Sequence, residues 1–244
     1  MITYDVQTKE AAQKLYAEII GGDTVDEKSH SRLEEAFRCQ EIQLVCRHLT
    51  SSFDECSSIK ENGLFGWSEV LRDSSAPLSV VLARHGVYGV DGRIERCDGN
   101  KSIDLTSERG LPHLLVDDCV SAYLYCGQNN ECYSDSPEIL RSLKRKFPWI
   151  GLSEEVKHWE ENAKPYCVEF SVSPSEVDVI TDCYSAEEDD ESDIYAALSW
   201  LLLDIIASER PSNHPVILKR GVSIPAGQLS VFKLSDMDWD FAME

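Results

Sequence analysis

Positive charge is what this chain has least of. Its 23 Lys and Arg stand against 44 Asp and Glu, giving a net charge of −21. A field that negative repels phosphate backbones and sets general nucleic-acid binding aside. Long apolar runs are also missing. The longest, residues 196–207, is interrupted by Ser199 and Asp204 and is too short to span a bilayer. The opening Met1-Ile2-Thr3-Tyr4-Asp5 has neither a basic n-region nor an apolar h-region. No CxxC pair occurs among the nine cysteines, Cys39, Cys46, Cys56, Cys97, Cys119, Cys126, Cys132, Cys167 and Cys183. Cys119, Cys126 and Cys132 lie seven and six residues apart, which fits no common zinc spacing. An odd cysteine count without a leader predicts a cytoplasmic protein with free thiols. The G-x-S-x-G elbow, the Walker loop and the G-x-G-x-x-G fingerprint are all absent.

What is present is ordinary globular material. A chain of 244 residues, 42% hydrophobic, can bury a core without disulfides or metals. It reads as a single domain over 1–244, with an N-terminal helical segment at 1–40 and an acidic tail at 236–244. The one dense basic cluster, Arg141, Lys144, Arg145 and Lys146, falls at helical spacing and reads as a solvated face. The acidity serves solubility first and a basic protein partner second; mimicry of nucleic-acid charge ranks third. Residues 187–193 carry six acids, Glu187, Glu188, Asp189, Asp190, Glu191 and Asp193.

Periodicity and capping signals predict helices over 8–20, 26–38, about 51–61, 137–147, 153–162 and 194–208. Strands are expected at 42–46, 77–83, 166–172, 216–218, 222–224 and 229–234. Residues 84–110 read as loops with short strands, 114–126 as strand and turn, and 128–136 as a polar loop. Helices interspersed with scattered short strands argue for an α+β fold with a mostly antiparallel sheet.

The segment 42–66 holds the densest chemistry. An apolar strand ends in His48 and Thr50, a short helix follows, and Asn62-Gly63-Leu64 closes it. A His at a strand end can donate to a hydroxyl without changing its charge. Gly63 suits a left-handed turn. Cys46 and His48 fall on one side of an extended strand, the spacing of a Cys–His nucleophile.

His48, Thr50, Ile59, Gly63 and Leu64 resemble the first motif of the ADP-ribosyltransferase-like superfamily, H-x-T followed by I-x-x-x-G-L. The resemblance is to its DNA-modifying toxins and RNA 2′-phosphotransferases, and it centres on 42–66. It implies a split, mostly antiparallel sheet with flanking helices. It also implies that NAD is held through its ribose by His48 and Thr50, and a toxin or phage-conflict setting. The family's second motif, an aromatic that stacks on nicotinamide, would be Tyr123 or Tyr125, with Tyr133 behind. Its third is a Glu at the start of a late strand, which stabilises the oxocarbenium-like centre or activates the acceptor. The segment His214-Pro215-Val216 through Ile224-Pro225 resembles the closing strands, but His214 stands where the Glu is expected. Glu209 and Glu169 are the nearest acids. An enzyme therefore requires His48, a Tyr and a Glu to converge on one cleft, with ADP-ribose passing to a protein or nucleic-acid acceptor. A His48 buried and bonded only to backbone would be structural. The rival is a non-catalytic acidic binding protein, such as an inhibitor, immunity or regulatory factor.

Overall fold

The computed structural model describes residues 1–99, 101–107, 110–111, 118–126, 136–180, 193–209 and 211–236. The expectations for Tyr133, for most of the polar loop, for the acidic run short of Asp193 and for the tail beyond 236 lie outside these residues.

The sheet is organised around β2 (Ile42–Ser52), eleven residues long. Its odd and even positions serve different faces, because successive side chains alternate. Ile42, Leu44 and Cys46 point into the main core; Val45, Arg47, Leu49 and Ser51 point the other way. β7 (Lys164–Val172) pairs antiparallel with β2 from Leu44↔Val172 to Ser52↔Lys164. β10 (Ser230–Lys233) flanks β7. On the other side lie β6 (Ser121–Tyr125), β9 (His214–Leu218) and β8 (Val177–Ile180). The strand order is β10-β7-β2-β6-β9-β8, and β1 (Ile2–Tyr4) runs parallel to the start of β2.

The ladder between β2 and β6 is the shortest in this sheet. β1 lies along Ile42–Leu44 of β2, and further along the same edge β6 meets β2 at one register pair, Arg47↔Tyr123. The sheet is split at that seam.

The main core lies between this sheet and three helices, α1 (Lys9–Ile20), α2 (Ser29–Cys39) and α8 (Ile194–Ala207). Thr8 caps α1 by accepting from the Ala11 amide at 3.1 Å, and Gly21 ends it at φ +78°. Tyr4, fully buried, donates its hydroxyl to the Leu198 carbonyl at 2.8 Å and ties β1 to α8. A second core gathers α4 (Trp67–Arg72), α5 (Pro77–Arg84), the meander β3 (Val87–Val90), β4 (Arg93–Asp98) and β5 (Lys101–Asp104), with α6 (Glu138–Lys146) and α7 (Ser153–Asn162). α3 (Ser57–Asn62) leads from β2 toward this layer.

The α+β class and the mostly antiparallel sheet are as the sequence predicts. Three elements differ. Residues 77–83 form α5, not a strand: Pro77 sits in its first turn, where its missing N–H costs nothing. Residues 222–224 are no strand; Ile224 makes an isolated antiparallel bridge to Leu64. β2 runs on to Ser52 and α3 starts only at Ser57, so His48 and Thr50 stand inside the strand rather than past its end. The segment 1–40 also contains β1.

The Leu64–Ile224 bridge depends on Gly63. Its φ is +106°, and a Cβ there would sit 2.4 Å from the Ile224 carbonyl oxygen. Gly63→Ala is therefore expected to cost about 2 kcal/mol or more of stability. Gly22→Ala, with open space around it, should shift it by less than about 0.5 kcal/mol. Urea midpoints at unchanged m-value measure both.

Candidate functional site at the sheet seam

β2 places His48 where β2 and β6 part. Beyond Arg47↔Tyr123 the ladder is lost, and the half-buried His48 ring fills in, its Nδ1 meeting the Ser121 carbonyl at 2.7 Å. As a carbonyl can only accept, Nδ1 carries the proton in that bond. Nε2 has no partner among the described residues. Burial holds the imidazole pKa below its usual value, and the Ser121 bond opposes that shift. The ring is therefore neutral at physiological pH. Thr50, two residues on, shares this face and stands opposite Tyr166 on β7.

The Gly63-Leu64 turn is held against the closing segment by paired bonds. Leu64 donates to the Ile224 carbonyl and Ile224 to the Leu64 carbonyl, both at 2.9 Å. Ile59 packs against the main core beside them. The fold thus joins two stretches of sequence, Ile59 to Leu64 and Ile224-Pro225, that are 160 residues apart at the bridge.

The two tyrosines part company. Tyr123 is opposite Arg47 and packs with Leu49, Cys126 and Cys167. A register irregularity lies between it and Tyr125. Tyr125 joins the main core, on the His48 side of the sheet, with its ring centroid 6.3 Å from that of His214. The shared face expected for an unbroken strand is not realised.

The acids do not converge on His48. Glu169 is the cross-strand partner of Arg47 and accepts from its guanidinium at 2.6 Å, on the opposite face of β2. Glu209 is exposed just beyond the end of α8. At the position where a Glu is expected, buried His214 turns toward the helices, its Nε2 3.3 Å from Asp204 Oδ2.

Arg47 is the residue that sequence reasoning passed over. It is buried to 7% exposure and bridges Glu169 and, at 3.1 Å, Asp5 just past β1. Its Nε is buried without a partner among the described residues. A charged residue among inward-facing apolar positions was the available signal. On this face a polar cavity of about 390 Å³ is lined by Gln43, Glu169, Ser171, Gln228 and Ser230. No ligand cluster able to hold a metal occurs among the described residues. No helix among them is long and apolar enough to cross a membrane.

The Cys–His pair does not survive folding. Cys46 is fully buried in the main core and burial pushes its thiol pKa up, so its thiolate is unavailable. No protein-family model, curated protein or solved structure matches this chain.

Burial likewise raises Cys167 to about 12 and Cys56 to about 11. A thiol reagent should modify exposed Cys39 and Cys97 in the native protein and spare Cys46, Cys56 and Cys167 until it unfolds. Peptide mass mapping reads this out; rapid labelling of Cys46 would restore the nucleophile.

A second expectation concerns pH. The unfolded His48 takes up a proton near pH 6.5, which the folded ring resists, so stability is fully present above that pH and is lost on acidification. His48→Gln removes this loss. The difference in unfolding free energy between the two proteins should fall with pH below about 6.5, by no more than about 1.4 kcal/mol per pH unit. A flat difference would contradict the assigned protonation state.

Proposed function

We propose that the seam binds NAD in the manner of the ADP-ribosyltransferase-like superfamily. The observation that carries this reading is the placement of His48 at the split of the sheet, with one ring nitrogen anchored on Ser121 and the other unpartnered. An anchored, neutral imidazole has a fixed orientation, and its Nε2 can accept a hydrogen bond from a ribose hydroxyl. Thr50 extends the same face, and the Gly63-Leu64 turn that follows in the motif is clamped by Ile224. Tyr125 is the better candidate for the nicotinamide stack, because Tyr123 lies with Arg47.

Transfer of ADP-ribose to a macromolecular acceptor needs an acid at the reacting carbon. Glu169 is engaged by Arg47 on the other face, and His214 is engaged by Asp204. That arrangement favours the second reading, a non-catalytic acidic protein that acts by binding. Its net charge of −21 suits a basic protein partner.

Calorimetric titration with NAD, alongside incubation with labelled NAD and acceptor extracts, separates the readings. Binding and turnover that both fall at least tenfold in His48→Ala support the transferase. Binding without turnover, together with salt-sensitive capture of a basic protein, supports the second reading. Absence of NAD binding at millimolar concentration removes the seam as a nucleotide site. Unchanged affinity in a stably folded His48→Ala reduces His48 to a plug for the Ser121 carbonyl.

A further inference from the structure

A second site lies beyond the end of β2, independent of the NAD reading. Ser51 points away from the main core, and its hydroxyl accepts from Trp159 Nε1 at 2.9 Å. That bond fixes the buried indole as the floor of a groove of about 260 Å³. Phe53, two residues further and 42% exposed, stands over it. Its ring is 4.7 Å from Trp159 between centroids and stacks on His158 at 5.6 Å. Val80, on α5, supplies an aliphatic wall opposite.

Two charged groups also line the groove. Glu155, in the first turn of α7, is held by His85 Nε2 at 3.0 Å. Arg84, in the last turn of α5, has no hydrogen bond or ion pair among the described residues. The groove thus combines aromatic surface, an aliphatic wall and a guanidinium with free donors, in a protein of net charge −21. Sites for small ligands are built this way, mostly apolar with a few placed polar groups. Flat aromatic walls favour a ring that stacks. A guanidinium selects an anionic oxygen group.

We propose that the groove between α5 and α7 binds a small planar aromatic molecule carrying a phosphate or carboxylate, the ring against Phe53 and Trp159 and the anion on Arg84. The ring and anion define the ligand chemistry. A mononucleotide and an aromatic carboxylate are the two sources that supply both.

Titration of the full chain with AMP and with phenylacetate tests this, followed by calorimetry, with adenosine and inorganic phosphate as single-feature probes. Saturable binding of AMP or of phenylacetate is expected, and whichever binds identifies the source. Adenosine and phosphate should each bind at least tenfold more weakly than AMP if the nucleotide is that source. Phe53→Ala and Arg84→Glu should each weaken the bound probe at least tenfold, Arg84→Glu, at an exposed position, without lowering the melting temperature and Phe53→Ala with the protein still folded at the assay temperature. His48→Ala should leave it unchanged, which separates this site from the seam. No saturable binding of either probe at millimolar concentration overturns the proposal, as does binding that both groove variants retain.

Discussion

The contact between Arg47 and Glu169 governs the rest of the molecule. A guanidinium buried to 7% exposure is tolerable only when paired, since an isolated charge in a protein interior costs several kcal/mol. The two residues stand directly opposite each other on β2 and β7. A slip of one residue would turn every side chain of β2 to the other face and place the guanidinium in the main core. The pair therefore specifies which residues of β2 meet the helices and which take the opposite face of the sheet. Asp5 extends this constraint to β1, because it takes the second arm of Arg47 only when β1 lies along Ile42–Leu44. β1 in that position shares the edge of β2 with β6, which takes it up at Arg47.

The orientation of the candidate site follows from the same register. With Arg47 on one face, His48 and Thr50 are on the other by simple alternation. Glu169 and Tyr123, as cross-strand partners of Arg47, are then excluded from the His48 side. Tyr125 escapes this rule only because the strand is irregular between it and Tyr123. An acid for chemistry at the seam must come from some element other than β7. The sheet thus explains why Glu169 does not reach it, while Glu209 lies outside the sheet, past the end of α8.

Local signals were legible where local physics decides. The Thr8 cap, the Gly21 stop, the amphipathic pattern of α6 and the acidic first turn of α7 each predict their helix. The run Pro77-Leu-Ser-Val-Val-Leu-Ala-Arg misleads because β-branched apolar residues suit a strand. It becomes α5 because one face packs on the second core, and Ser79 satisfies itself on the Val70 carbonyl at 2.9 Å. β1 is three residues long and carries no distinctive pattern. In the site, the spacing of His48, Thr50 and Gly63 could be read directly. The pairing of Arg47 with Glu169 could not, because it depends on the register of strands more than a hundred residues apart. The partner of Gly63 was likewise hidden, since Ile224 lies in a segment that alternation alone presents as a strand.

β2 also presents the two proposed sites on opposite faces of one strand. Its even positions lead through Cys46 to His48 and Thr50 at the seam. Its odd positions lead through Arg47 and Leu49 to Ser51, which positions Trp159 in the groove. The sheet thus separates the two surfaces by a layer of backbone hydrogen bonds, and no side chain is shared. Their mechanical support is nevertheless common, because the β2–β7 ladder carries both Thr50 and Ser51. Loss of the Arg47–Glu169 contact would disturb both sites through register. A change at His48 or Phe53 acts on one face and leaves the ladder intact. That asymmetry separates the roles along β2: His48 and Thr50 report on one face, Ser51 on the other, and Arg47 on the frame that holds them apart.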